Sequence, residues 1–326
     1  MHQTIHGPSD EDCLQSVADC LERAKKVVVL MAAGVSTAAH IPDFRSNMGL
    51  YKNGEVFSES ATRSLEGRTR LLQLALELRR QACISRPTQT HRLVDALRIR
   101  GQLLRCYTQN IDMLEERAGL SVGIDPDHDC IPLHGSLRYL RCPSCCGRFD
   151  WASYETRIEA GDDLSCPDCY AACQKRMDAG KRRSHVGLLM PDIALLDEAH
   201  QDGEAIGSII ANDVAAAPDL LLVLGTSLRV PGPKQLASTF ARVVSVHGGT
   251  VIYVDLSKRC ATANQLDSQS QASDGMKIDS EKEKTSPTFA ATTNATAADG
   301  ADMISELLRK RLARKPNDYD APGCAA

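Results

Sequence analysis

No stretch of the chain approaches the roughly 20 consecutive apolar residues that a membrane-spanning helix requires, so no membrane association is expected. Neither sign of charge dominates: 38 Lys and Arg stand against 42 Asp and Glu, a formal net charge of −4. That balance excludes a surface built wholly to coat nucleic acid. The chain has no internal repeat and no Gly-x-Gly-x-x-Gly of the common dinucleotide-binding folds. Met1 to Cys13 is polar and acidic rather than a secretory signal, which places the protein inside the cell as an expectation.

What is present is ordinary for a folded protein. With 326 residues, 43% hydrophobic and 25% charged, there is chain enough for one large domain or two and for a sizeable core. The 13 cysteines are odd in number and several are paired at two-residue gaps. In a reducing compartment that pattern favours metal binding with spare thiols over a disulfide framework.

Lys25 to Met31 is a β-branched apolar run that breaks into Ala32-Ala33-Gly34-Val35-Ser36, the pattern of a buried strand and a turn that can face phosphate. Helices are expected over Leu65–Cys83 and Thr90–Arg100, where leucines recur among Arg and Glu. A strand at Leu103–Tyr107 leads directly into Thr108-Gln109-Asn110-Ile111-Asp112. Further strands are expected at Ile193–Leu196, at Leu220–Leu224 before Gly225-Thr226-Ser227, and at Val251–Val254 before Asp255. Strands that each end in small or polar residues predict an α/β fold, a Rossmann-like parallel sheet with helices on both faces and a site along its carboxyl edge. Thr262 to Ala298 is rich in Ser, Thr, Ala, Asp and Lys and reads as a flexible insertion, and Met303 to Arg314 as a helix.

Cys142-Pro143-Ser144-Cys145 and Cys166-Pro167-Asp168-Cys169 are two C-x-x-C knuckles with 20 residues between them. Two such pairs complete the four-thiolate tetrahedron that zinc prefers and leave no position for water, so Cys142, Cys145, Cys166 and Cys169 predict a structural zinc ribbon. Cys146 is an alternative ligand to Cys145, and Cys173 is a nearby spare. Taken singly, the polar residues have plain readings: His134 as a turn histidine, Asn110, Asp112, Thr226 and Ser227 as helix caps, and Lys181-Arg182-Arg183 and Arg309-Lys310-Arg311 as solvated faces, with nuclear targeting or proximity to histone and DNA as the minority reading.

Ala32-Ala33-Gly34-Val35-Ser36 to Ile41-Pro42-Asp43-Phe44-Arg45 resembles the cofactor-loop motif of the sirtuins, G-A-G-x-S-x-x-x-G-I-P-D-F-R. The family's other marks follow in order: Thr108 to Asp112, Leu133-His134-Gly135-Ser136, the two knuckles, Gly225-Thr226-Ser227, a strand ending near Asp255, and Gly300-Ala301-Asp302. Pro87-Thr88-Gln89-Thr90-His91, Gly180-Lys181-Arg182-Arg183 and Leu228 to Gly232 are most similar to the fungal nuclear branch that deacetylates histones.

The resemblance implies an NAD-dependent protein lysine deacetylase. NAD is consumed: the acyl-lysine oxygen attacks the ribose as nicotinamide leaves, and the acyl group finishes on ADP-ribose. It makes His134 the base, with Asn110 and Asp112 beside it in catalysis. Ala32, Ala33, Gly34, Ser36, Asp43, Phe44, Arg45, Gln109, Asn110, Asp112, Gly225, Thr226, Ser227, Asp255 and Ala301 hold the cofactor. The implied partner is an acylated protein, a histone, with no sequence-specific nucleic-acid contact, and the implied location is nuclear, with cytoplasmic as the alternative. Oligomeric state is left open. The implied domains are 20–137, the first part of an NAD-binding Rossmann-like domain with a helical insertion; 138–185, the zinc module; 186–260, the second Rossmann-like part; 261–298, the flexible insertion; and 299–326, a helix and tail. Three departures from the family's pattern stand out: Ala32 and His40 occupy glycine positions, and Leu196-Asp197-Glu198 replaces Phe-Gly-Glu on the substrate-gripping strand. They motivate a second reading, a weak or inactive scaffold that binds NAD metabolites.

Overall fold

The computed structural model of the protein describes residues 2–5, 11–43, 56–196, 198, 200–255 and 288–292. Expectations for Phe44, Arg45, Asp197 and Ala301, for most of the 261–298 insertion and for the helix after Met303 lie outside these residues. In chain order the strands are β1 (His2–Ile5), β2 (Val27–Met31), β3 (Leu103–Thr108), β4 (Cys130–Pro132), β5 (Gly135–Arg141), β6 (Arg148–Phe149), β7 (Met190–Ile193), β8 (Leu220–Leu224), β9 (Thr250–Asp255) and β10 (Thr288–Thr292). The helices are α1 (Glu11–Arg23), α2 (Leu65–Ile84), α3 (Gln89–Ile99), α4 (Leu114–Ala118), α5 (Glu155–Glu159), α6 (Pro167–Asp178), α7 (Gly203–Ala215) and α8 (Pro231–Val246). They fall into two compact units, one made of Met1–Ala38, Pro87–Cys106 and Ile210–Ala326, the other of Ala39–Arg86 and Tyr107–Ile209.

The first unit is an α/β sheet with strand order β1-β10-β9-β8-β2-β3, parallel from β1 through β2. Every residue of β2 and β8 is buried, which is why both strands are unbroken apolar runs rather than alternating ones. Val27 pairs with Leu220 and Met31 with Leu224, so the two strands end level. The chain leaves β2 toward β3 on one side while β8 and β9 lie on the other. This reversal of strand order is where open α/β sheets bind ligands, beyond the carboxyl ends of the strands. Leu21 of α1, Leu93 and Leu97 of α3, and Phe240 and Val244 of α8 are buried in this unit's core.

The second unit is organised by α2. Its Leu71, Leu72, Ala75 and Leu76 share one buried cluster with Trp151, Ile158, Leu164 and the cysteines at 142, 166 and 169. The cysteine-rich segment, short of apolar residues of its own, thus takes its core from a helix some 60 to 100 positions earlier in the chain. Its three-stranded sheet, β6-β5-β7, is antiparallel.

Two expectations are corrected. The run Ile193–Leu196 is not a strand of the parallel sheet: the strand is β7, it pairs antiparallel with β5, and Leu196 makes only an isolated bridge to Ser58. As an edge strand it tolerates Pro191, which has no N–H to donate. Within 261–298, expected to be flexible, Thr288–Thr292 forms β10 between β1 and β9. Thr-Phe-Ala-Ala-Thr carries the segment's one aromatic, Phe289, between two β-branched threonines, and has none of the Asp, Ser, Lys or Gly that fill the stretch before it. Among the described residues no helix is long and apolar enough to cross a membrane.

Candidate active site

In the first unit the loops after β2 and β8 meet through backbone. The N–H of Ala32 donates to the carbonyl of Leu224 and that of Gly34 to the carbonyl of Gly225, each at 3.1 Å. A Cβ at Gly34 would lie 2.7 Å from the Gly225 oxygen. Gly225 itself has φ +62°, and its Cβ would lie 2.7 Å from the Val35 nitrogen. These glycines are small because each needs room for the other. Ala32, by contrast, has φ −145° and ψ −177°, extended backbone that any residue adopts, so the methyl at this departure costs no backbone strain. Ser36 and Thr226 are buried, Ser227 is half-buried, and Asp255 is the last residue of β9. The Thr88 hydroxyl donates to the Val35 carbonyl at 3.0 Å and sits 2.8 Å from Nδ1 of His91, whose ring is wholly buried. The string Pro87 to His91 therefore fastens the β2 loop. Burial holds the His91 imidazole down to a pKa of about 3, so it is neutral.

The donor set at these level strand ends fits a dinucleotide: backbone amides of a tight turn, the buried hydroxyls of Ser36 and Thr226, and small residues at the reversal of strand order.

In the second unit the polar segment after β3 folds over a buried carboxyl. Glu115, 2% exposed, accepts from the Thr108 hydroxyl at 2.5 Å and from the Asn110 amide at 3.4 Å. The Thr108 hydroxyl oxygen in turn accepts from the Asn110 N–H at 3.1 Å. Burial raises the Glu115 pKa to about 8, and the adjacent Asp112 adds to the rise, so this carboxyl keeps its proton at neutral pH. Asp112 is also buried, and its Oδ1 accepts from the Leu114 N–H at 3.0 Å; it stands one residue before the α4 N-cap, Met113, which has no side-chain cap, so its plain reading as the helix cap is not met.

His134, half-buried after β4, has Nδ1 3.0 Å from the Gln109 carbonyl. A carbonyl only accepts, so Nδ1 carries hydrogen and Nε2 holds the lone pair of the neutral ring. Burial pushes the His134 pKa below the usual imidazole range, the Gln109 carbonyl partly opposes this, and His200 adds to the lowering. Gly135, Ser136, Ala194 and His200 line a cavity of about 280 Å³. Gly135 has φ +76°, and a Cβ there would lie 2.4 Å from the Asp192 oxygen, so this turn after His134 admits only glycine.

The four knuckle cysteines converge. Their sulfurs all lie within 4.8 Å of one another, with Cys142 and Cys169 3.7 Å apart and Cys145 and Cys166 3.6 Å apart. Disulfide sulfurs are about 2.05 Å apart, whereas the edge of a tetrahedron with zinc–sulfur bonds of about 2.3 Å is about 3.8 Å, so the set fits zinc. A Cβ at Gly187 would lie 2.5 Å from the Cys142 sulfur. Cys146 is outside the cluster, its N–H donating to the Cys142 carbonyl at 2.8 Å, and the Cys173 thiol faces the Ser184 carbonyl at 3.4 Å.

The expected residues therefore gather as two sets: Ala32, Ala33, Gly34 and Ser36 with Gly225, Thr226 and Ser227 in one unit, and Gln109, Asn110, Asp112 and His134 in the other, which also contains Asp43. Sequence reasoning missed Glu115 and Gly187, and named Gly135 only within the Leu133–Ser136 mark without a role of its own. Gly187 is marked only by its tertiary contact with Cys142, and Glu115 stands beside Glu116, identical in type, which pairs with exposed Arg138.

Among known proteins, residues 32–232 match the family model described as "Sir2 family". The chain is similar to the NAD-dependent histone deacetylase HST3 of Candida albicans, 33% identical over 278 residues covering 77% of this chain and 57% of that protein. To HST3 of Saccharomyces cerevisiae it is 36% identical over 276 residues, 76% of this chain and 62% of that protein. The chain thus spans about three fifths of the length of these curated relatives. The solved structure of Sir2Tm bound to a propionylated peptide has the same fold, with a TM-score of 0.64 at 20% identity over 91% of this chain and 98% of that chain.

Proposed function

The chain belongs to the Sir2 family, and on that premise we propose that it is an NAD-dependent protein lysine deacetylase acting on acetylated histone in the nucleus. The observation that carries the reading is the His134–Gln109 contact, which sets a neutral imidazole with Nε2 available as base beside the Asn110–Asp112 segment. NAD supplies a ribose whose bond to nicotinamide breaks, and its ADP-ribose part receives the acyl group. His134 removes a proton from a ribose hydroxyl at Nε2. Gln109, Asn110 and Asp112 orient the ribose and the carboxamide, and Glu115 holds Thr108 and Asn110 in place through its carboxyl.

Ala32, Ala33 and Gly34, with Gly225, Thr226 and Ser227, bind the phosphates, Ser36 belongs to the polar network behind the ribose and nicotinamide, Asp43, Phe44 and Arg45 shape the loop over the cofactor, and Asp255 and Ala301 serve the adenosine end. Cys142, Cys145, Cys166 and Cys169 hold zinc in a structural role, since four thiolates leave no position for water. The extended backbone at Ala32 supports turnover over the inactive-scaffold reading, because that departure leaves the loop unstrained. The test is mass spectrometry over a panel of acylated histone peptides with and without NAD. NAD-dependent loss of the acetyl group with matching nicotinamide is expected; binding of NAD with no product from any peptide would select the scaffold.

A further inference from the structure

The end of α6 carries a charge that the active site does not use. Between positions 175 and 183 stand Lys175, Arg176, Lys181, Arg182 and Arg183, five cations against the single carboxylate of Asp178, and all five are exposed. None of them forms an ion pair with a carboxylate among the described residues. Two cations at a helix C-terminus complement its dipole. Three more in the turn beyond it exceed that need.

The turn is also built. Gly180, at φ +69°, ends the helix with its N–H on the Met177 carbonyl at 2.9 Å, and the Lys181 N–H returns to the Arg176 carbonyl at 2.9 Å, a Schellman closure. Nε of Arg176 donates to the Arg182 carbonyl at 3.4 Å, and the Cys173 thiol to the Ser184 carbonyl at 3.4 Å. The backbone of Lys181–Arg183 is therefore folded back on α6, beside the helix that supplies Cys166 as its cap and Cys169 in its first turn.

We propose that the last turn of α6 and the Lys181–Arg183 turn form a surface that binds the phosphate backbone of double-stranded DNA without reading its sequence. A duplex presents about one charge per 1.7 Å of its axis, a density that several fixed cations meet together. Phosphate contacts carry no base information, so the surface is compatible with the absence of a base-reading motif. A receptor for nuclear-import peptides needs an extended segment, whereas these three residues are pinned by the helix end, which favours DNA. This surface does not rest on the deacetylase reading, since it requires neither NAD nor acylated lysine.

The experiment is fluorescence anisotropy of the full chain with a labelled random-sequence duplex of about 30 base pairs, titrated over a range of KCl, for the parent and the Lys181→Ala/Arg182→Ala/Arg183→Ala variant. Each lost phosphate contact lowers the slope of log affinity against log salt by about 0.9, so the variant's slope should fall by about 2.7 and its affinity by roughly tenfold or more at moderate salt. Zinc content reports its fold. Should that variant lose zinc, Lys175→Gln/Arg176→Gln decides in its place, with an expected slope loss of about 1.8. Absence of duplex binding by the parent, an unchanged slope in the folded variant, or tighter binding of poly-glutamate than of duplex would each overturn the assignment.

Discussion

Nδ1 of His134 lies 3.0 Å from the carbonyl oxygen of Gln109, and that one contact decides which ring nitrogen can act as a base. The contact keeps Nε2 free of hydrogen in the neutral ring, while burial and His200 hold the pKa below the ordinary imidazole value. The acid limb of the rate profile should therefore fall below the usual value for histidine, with activity fully present by neutral pH. His200→Gln removes one of the causes of lowering and should move that limb to higher pH while leaving the plateau rate within a few-fold. A limb that stays in place in the variant would separate His200 from the base.

Glu115 makes stability depend on pH in an unusual direction. Its folded carboxyl keeps a proton to about pH 8, whereas the unfolded chain releases it near 4.5. Between those values the folded state binds more protons, so its contribution is full below the unfolded pKa and is lost as pH rises, by up to about 1.4 kcal/mol per unit. His91 acts oppositely below 6.5, where the unfolded chain takes up a proton that the folded ring refuses until about pH 3. Glu115→Gln should flatten the alkaline decline in melting temperature and leave the acid side unchanged. Parallel melting curves for parent and variant from pH 6 to 9 would refute the buried protonated carboxyl.

His40 sits at φ 61°, the left-handed region that costs a non-glycine residue roughly 1–2 kcal/mol, though histidine visits it more than most. Its carbonyl is held by the Gln81 side chain, and the Ser85 hydroxyl holds the Ala39 carbonyl at 3.0 Å, so the strain is fixed from α2. Replacing His40 by Gly should raise the melting temperature by about 2–4 °C for a chain of this size, and His40→Val should lower it. Calorimetry showing no gain with Gly would mean that the surrounding contacts, not the backbone, set this conformation.

Removing a zinc ligand should cost more than any of these. Cys166→Ala should abolish bound zinc and lower stability by several kcal/mol, because metal binding energy in such modules is folding energy. Its partners in the buried cluster include Trp151 and α2 residues, so the loss should spread to that core. Gly187→Ala, which drives a methyl to 2.5 Å from the Cys142 sulfur, should act in the same direction. Metal analysis with melting curves measures both, and a zinc-free variant as heat-stable as the parent would remove the structural role.

The parts of this fold that were legible in the sequence are those where one local pattern has one physical reading. β2 and β8 stand out because burial on both faces demands unbroken apolar runs, α2 because its leucines recur at helical spacing, and the zinc knuckles because the ligands are paired along the chain. α1 went unread although Val17, Ala18 and Leu21 line its buried face, for lack of a cap or a long run to announce it. β4 and β6 have three and two residues, too few for any period to show. Glu115 and Glu116 are indistinguishable as letters. Only the fold buries one and leaves the other with Arg138 at the surface.

Nicotinamide release from NAD plus acetylated histone peptide, compared for the parent and His134→Ala at equal zinc content, decides whether the imidazole at position 134 is the base of an NAD-consuming deacetylation. Steady release by the parent and a loss of about a hundredfold or more in the variant, the scale of a general base, are expected. Equal release by the two proteins would show that His134 is not the base.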